Sequence, residues 1–294
     1  MSIIPQTVSA TPGRTGKTRF SLKKILLLIA VVLVVLFSLA PILWQVLTSF
    51  KVNEDIAAVP TVYFPQRFTF SHYIELFTRR PFWRYILNSA FVSITSTALA
   101  LAIGAPAAYA LARLRPWGEQ FILASILIVT LFPGILLFLG LLEIIQVLRL
   151  GNNYLALIIP YTAINLPLTI LVLKSFFQQL PKDLEDSARV DGYNTFQLLW
   201  QIVLPMTLPA LVTTGILTFI FAWNEFIFAL TFMTREELKT IPVAAAQLGG
   251  ATVFEIPYGA IAAATVLGTL PLVLLVLFFQ RRIVQGLTAG AVKG

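Results

Sequence analysis

Chemistry has few places to start in this chain. GRTGKT, residues 13–18, looks like a phosphate-binding loop. Such a loop needs four residues between its first glycine and the Gly-Lys-Ser/Thr, with a strand before it and a helix after it to aim its backbone N–H groups. Only two residues intervene here, and the preceding segment is rich in Ser, Thr and Pro; a flexible basic tail fits better. Cysteine is absent, which removes thiolate nucleophiles, disulfides and cysteine metal sites. His72 is the single histidine, in a connecting segment, so His-pair metal sites are excluded and a Ser-His-Asp arrangement is poorly supplied. No nucleophile or metal cluster lies inside the apolar runs, which argues against a membrane-embedded enzyme. Two polar groups remain: LPKDLEDSARVDG, residues 180–192, with its Asp183, Glu185, Asp186 and Asp191, and, inside otherwise apolar stretches, Tyr161 and Asn165 in one and Trp223, Asn224 and Glu225 in another.

The elements that position these groups must suit their solvent. Of 294 residues, 58% are hydrophobic and 12% charged, against about 25% charged in an ordinary soluble domain. Mean hydropathy is +0.86. A spanning helix needs about 20 apolar residues, and six windows qualify: 25–47, 85–112, 121–142, 154–177, 204–232 and 258–279. The first follows a basic flank but exceeds the apolar core of a signal peptide, roughly 7–15 residues, and no A-x-A site follows it; it reads as a retained span. With both termini inside, 13 of the 21 Lys and Arg fall on the inner side, although Arg79, Arg80 and Arg84 oppose the trend. The net charge of +8 then reflects loops beside anionic lipid rather than nucleic acid. On this topology residues 180–204 face the cytoplasm.

Local signals fold that segment. Pro181 suits a first helical turn, three acids crowd the N-terminal half, and Gly192 follows the end. Asn194 can cap a second helix, with Gln197 three residues on. There Phe196, Leu199, Trp200, Val203 and Leu204 recur on one apolar face, and Pro205 and Pro209 reset the chain. Small residues at Ser187 and Ala188 would let another backbone approach closely. Two readings fit: a docking surface for a second protein, or a solvated loop whose second helix rests on headgroups.

The run EDSARVDG with Leu204-Pro205 after it resembles the EAA motif of permease subunits of bacterial ABC importers. The Glu-Ala-Ala core falls on Asp186, Ser187 and Ala188, with Asp for Glu and Ser for Ala, and the motif glycine on Gly192. INLPLTILVLKSFF (164–177), AWNEFIFAL (222–230) and GLTAGAVKG (286–294) are similar to MalG-type permeases of carbohydrate importers. The resemblance implies a bacterial inner-membrane complex of this chain, a homologous permease, two ATPase subunits that hold ATP and Mg, and an extracytoplasmic sugar-binding protein. It implies no cofactor and no ATPase site in this chain. Glu185, Asp186, Ser187, Ala188, Asp191, Gly192, Leu204 and Pro205 would then couple to the ATPase.

The expected fold is an all-α integral membrane protein of six transmembrane helices, a MetI/MalG-like ABC permease fold with a cytoplasmic coupling helix between helices 4 and 5. Residues 1–24 form a basic tail, 25–281 the transmembrane domain with its coupling segment at 180–204, and 282–294 a C-terminal tail. Pro160 and Pro167 are expected to break the fourth span. Polar groups at membrane depth face either protein or a water-filled path. Tyr161, Asn165, Trp223 and Asn224 are of the types that hold sugar, and equally of the types that glue helices together; Glu225 falls near the outer interface. The segment 235–257, with IPVAAAQLGG, either meets the binding protein or is a re-entrant or surface connection. The C-terminal tail either reaches the ATPase or frays. A secondary transporter driven by an ion gradient is the main rival, but it calls for paired intramembrane charges and inverted repeats, and neither is evident.

Overall fold

The computed structural model of the chain describes residues 22–248 and 256–291. GRTGKT, most of the basic tail, the glycine pair that ends IPVAAAQLGG, and residues 292–294 lie outside the described residues. The chain divides into two units, residues 1–44 and 45–294. Helix α1, Leu22–Ser49, is apolar and continuous through Pro41. Its 28 residues, at about 1.5 Å each, exceed a hydrocarbon core of roughly 30 Å.

The second unit continues with α2 (Asn53–Ala57) and α3 (Ser71–Arg79). Next come α4 (Phe82–Tyr109), prolonged by a π-wound turn Ala110–Leu114, then α5 (Glu119–Leu131) and α6 (Gly134–Val147). They are followed by α7 (Leu155–Gln179), α8 (Lys182–Val190), α9 (Thr195–Leu198), a second π-wound turn Leu199–Val203, and α10 (Leu204–Met206). The chain closes with α11 (Leu208–Asn224), α12 (Ile227–Phe232), α13 (Ile241–Gln247) and α14 (Tyr258–Ala291). Among the described residues four helices are long and apolar enough to cross a membrane, and six segments are if each bent pair counts as one. The fold is the all-α membrane architecture expected.

Three spans depart in detail. The third bends by 93° between α5 and α6, because Phe132, ahead of Pro133, is driven to an extended conformation (φ −74°, ψ 127°). The fifth bends by 81° at Thr207, where Pro205 and Pro209 withhold two amide donors, and it stops again at Glu225 (ψ 133°). Conversely, Pro160 and Pro167 do not break the fourth, since α7 runs through both. Polar side chains along it bond back one turn: Thr162 to the Ile158 carbonyl at 2.7 Å, Asn165 to Tyr161 at 2.8 Å, Thr169 to Asn165 at 2.8 Å. None of the three reaches the carbonyl of Ala156 or Ala163, four residues before each proline, which is where an amide donor is lost; they bind carbonyls of the neighbouring turns. The C-terminal segment also continues as helix to Ala291 rather than leaving α14 near residue 279.

Helices α4 and α7 form the most extensive pair, and α11 packs on both and on α14. Lipid offers no hydrophobic drive between helices, so close approach of small residues carries the association. Ser93, Ser96, Ala100 and Gly104 line the buried side of α4, and a Cβ on Gly104 would sit 2.6 Å from Thr169 Cγ2.

Candidate functional site

The α8 hairpin is built mainly from neighbouring residues. Asp183 and Glu185 lie in the first turn of α8, where the helix dipole favours acids. At its end Gly192 takes φ +86°; its N–H donates to the Arg189 carbonyl at 3.1 Å and that of Tyr193 to Ala188 at 3.0 Å, which is the Schellman closure. Two residues on, Asn194 and Gln197 form a reciprocal cap, Gln197 N–H donating to Asn194 Oδ1 at 2.9 Å and Asn194 N–H to Gln197 Oε1 at 3.0 Å.

Distant contacts decide which way α8 faces. Glu185 and Ala188, a turn apart, are 8% and 4% exposed. Ala188 packs with Tyr109, Phe177 and Leu198, so its methyl is covered by this chain and does not offer the close approach expected of it. Glu185 Oε1 pairs with Arg113 Nε at 2.7 Å, and the Tyr109 hydroxyl donates to Oε2 at 3.3 Å. Every other residue of α8 is exposed: Asp183, Asp186, Ser187 and Val190, spaced i, i+3, i+4 and i+7, form one outward stripe flanked by Lys182, Leu184 and Arg189, with Asp191 and Gly192 at the turn. Leu204 is buried and Pro205 exposed. The apolar face read from periodicity splits: Leu199, Val203 and Leu204 are buried together with Leu198, whereas Phe196 and Trp200 are exposed, with ring centroids 5.9 Å apart. Winding Leu199–Val203 as a π turn inserts an extra residue per turn, which shifts the face.

The second candidate group is mostly tied up within the chain. The Tyr161 hydroxyl donates to the Glu225 carboxylate, which also accepts the N–H groups of Phe228 at 2.9 Å and Ala229 at 3.2 Å. Glu225 thereby starts α12 and holds it to α7. Asn165 is 3% exposed and back-bonded as above, while Trp223 Nε1 donates to the Gly268 carbonyl at 3.0 Å, tying α11 to α14. Asn224 is exposed, its amide donating to Ile220 at 2.8 Å. Glu225 also lines a cavity of about 380 Å³ at the bend between α5 and α6, walled by Phe132, Ile164, Pro167, Phe221 and Phe228. Among the described residues no cluster of His, Cys, Asp and Glu converges to hold a metal.

At the opposite end of the bundle from α8, the described part of 235–257 is fastened to α4. Tyr85 donates to Glu236 at 2.5 Å, Asn88 Nδ2 to the carbonyls of Glu237 at 2.8 Å and Lys239 at 2.9 Å, and Ile241 N–H to Ser89 Oγ at 2.9 Å. Partial burial pushes the Glu236 carboxyl up, but hydrogen bonds from Lys239 and Tyr85 and the charges of Lys239 and Arg80 outweigh it, leaving the group below the usual carboxylate value.

A family model described as "binding-protein-dependent transport system inner membrane component" matches residues 100–289. The chain belongs to that family. Within it, the sulfoquinovosyl glycerol transport system permease protein SmoH of Agrobacterium fabrum is 39% identical over 288 residues, covering 98% of this chain and 99% of that protein. The trehalose transport system permease protein SugB of Mycobacterium tuberculosis is also 39% identical, covering 89% of this chain and 95% of its own. A solved bacterial ABC transporter involved in import of the acidic polysaccharide alginate shares the fold, with TM-score 0.76 at 22% identity over 92% of this chain and 99% of that one. This inner-membrane component carries structural partners that sequence reading missed: Tyr109 and Arg113 beneath α8, and Asn88 beneath the 235–241 segment. Nothing local to Arg113 predicts a carboxylate 72 positions away.

Proposed function

We propose that this chain is a permease subunit of an ATP-driven importer of a carbohydrate, forming half of the translocation path beside a homologous permease. Two cytosolic ATPase subunits, which hold ATP and Mg, engage α8, and an extracytoplasmic binding protein delivers the sugar. Both termini lie in the cytoplasm, and the chain has no ATPase site of its own. The carbohydrate class rests on the relatives, whose names specify a sulfonated glycoside and trehalose. A secondary transporter acting alone is not favoured, since the family is defined by binding-protein-dependent transport.

One observation carries the coupling role: α8 is fixed from behind by Glu185 and Ala188 and closed by Gly192, and it turns Asp183, Asp186, Ser187 and Val190 outward. A face fixed in this way transmits displacement. ATP can drive the spans only if the closed ATPase dimer binds one of their arrangements more tightly than the other, and a stiff contact supplies that preference. A photocrosslinker in place of Val190 should capture an ATP-hydrolysing subunit in native vesicles; capture of none refutes the assignment.

For the path, Glu225 at the cavity and exposed Asn224 are the contacts we assign to sugar, with Tyr161, Asn165 and Trp223 holding the surrounding helices. Uptake of a panel of neutral and anionic labelled glycosides should then fall more for Asn224→Ala than for Asn165→Ala when each is assembled with the other native subunits. Unchanged affinity and rate in Asn224→Ala would remove it from the path.

A further inference from the structure

Arg113 lies in the π-wound turn after α4, yet it reaches two other elements. Its Nη2 donates to the carbonyl of Leu180, the residue that closes α7, at 2.5 Å, and its Nε faces Glu185 in the first turn of α8 at 2.7 Å. The two side chains are 7% and 10% exposed. A helix's carbonyl end is partly negative and Glu185 is acidic; one planar guanidinium bridges the two, Nη2 donating to the carbonyl while Nε meets Oε1 as an ion pair without hydrogen-bond alignment. Around it the Tyr109 ring lies edge-on to Phe177 at 6.2 Å, and its hydroxyl meets the same carboxylate.

Stability alone does not call for charges at this spot, because a well-packed apolar pair commonly replaces a buried ion pair without loss. What the fork adds is a fixed relative position of three helix ends. We propose that Arg113, with Glu185 and Tyr109, is the positioning cluster that hands displacement of α8 to α4 and α7 together. On this view Glu185 belongs to the internal fastening and not to the docking face. The inference rests on the α8 docking assignment above. It also gives the stroke a route: α7 runs from Leu180 back to Tyr161, whose hydroxyl holds Glu225 at the cavity.

The chain has no cysteine, so within it a nitroxide pair is confined to Leu114→Cys and Lys182→Cys, both exposed and off the outward stripe of α8. The complex is purified from native membranes by a tag on this chain and compared without nucleotide and with ATP plus vanadate. With Arg113 and Glu185 present, the separation stays narrow and equal in both states. In Arg113→Met/Glu185→Met it broadens or shifts with nucleotide, and stimulation of ATP hydrolysis by the binding protein falls about tenfold, within the usual range of coupling between sites. Arg113→Lys, which keeps the charge but loses the fork, falls between and serves if the double variant does not accumulate. An unchanged separation with full stimulation in these variants overturns the inference. Crosslinking from Val190 separates the two assignments: no ATPase captured removes docking itself, whereas capture alongside unaffected Arg113 variants removes only the cluster's role.

Discussion

Gly192 gives a graded test of the hairpin. Its φ of +86° lies in the left-handed region, and a Cβ there would meet nothing within 4 Å. The cost of any side chain is therefore backbone cost alone. For Gly192→Ala that is about 1–2 kcal/mol, or roughly a 5–30-fold loss in the population of the closed turn. Asparagine visits this region more readily, so Gly192→Asn should lose less. Proline locks φ near −65° and removes the N–H that donates to Arg189; the turn then cannot form, at about 3 kcal/mol or more. Uptake by membrane vesicles, normalised to permease content by immunoblot, should rank Gly, Asn, Ala, Pro, with the last inactive and insertion unaffected because no span is altered. Hydrolysis of ATP in the assembled complex should lose its response to the binding protein in the same order. Full transport by a well-inserted Gly192→Pro variant would refute both the hairpin's rigidity and its part in coupling.

Three other outcomes are expected. Gly259→Ala places a Cβ 2.2 Å from His72 Nε2, in a buried ring that holds the Lys51 carbonyl at 2.8 Å; overpacking of about 1–3 kcal/mol should lower the thermal inactivation temperature of the detergent-solubilised complex, whereas Gly134→Ala, with nothing within 4 Å, should not. Asn194→Ala deletes the side chain that accepts the Gln197 N–H and should cost about 1 kcal/mol, seen as faster proteolysis between α8 and α9; an unchanged cleavage rate would mean the cap contributes nothing there. The Glu236 carboxyl is held below its ordinary 4.5, so its contribution to the 235–241 segment is fully present above that value and is lost as pH falls through the lowered one. A nitroxide at Glu237→Cys should accordingly gain mobility as acidification passes through that lowered value, and Glu236→Gln should be mobile at every pH; a wild-type signal independent of pH contradicts the linkage.

Much of the chain's local grammar is legible in the order of its residues. Apolar run length locates the six spans, and Asn194 with Gln197 and the glycine that follows Asp191 mark cap and stop, because each of those interactions closes within about five residues. Two kinds of feature are not readable in that way. Proline's effect depends on context: α7 runs on through Pro160 and Pro167, whereas the chain turns sharply at Phe132 and Thr207. Likewise the partners of Trp223 and Glu225 lie 45 and 64 positions away, beyond any periodicity.

Sequence by itself determined that this is a lipid-embedded helical chain with a stiff polar hairpin between its fourth and fifth spans, since hydropathy and helix capping are properties of contiguous residues. Tertiary structure alone decided which face of that hairpin is offered outward. Glu185 and Asp186 are adjacent acids of similar chemistry; only the arrival of Arg113 and Tyr109 from the end of α4 draws one inward and leaves the other exposed, and a helix places consecutive residues about 100° apart whatever their charge.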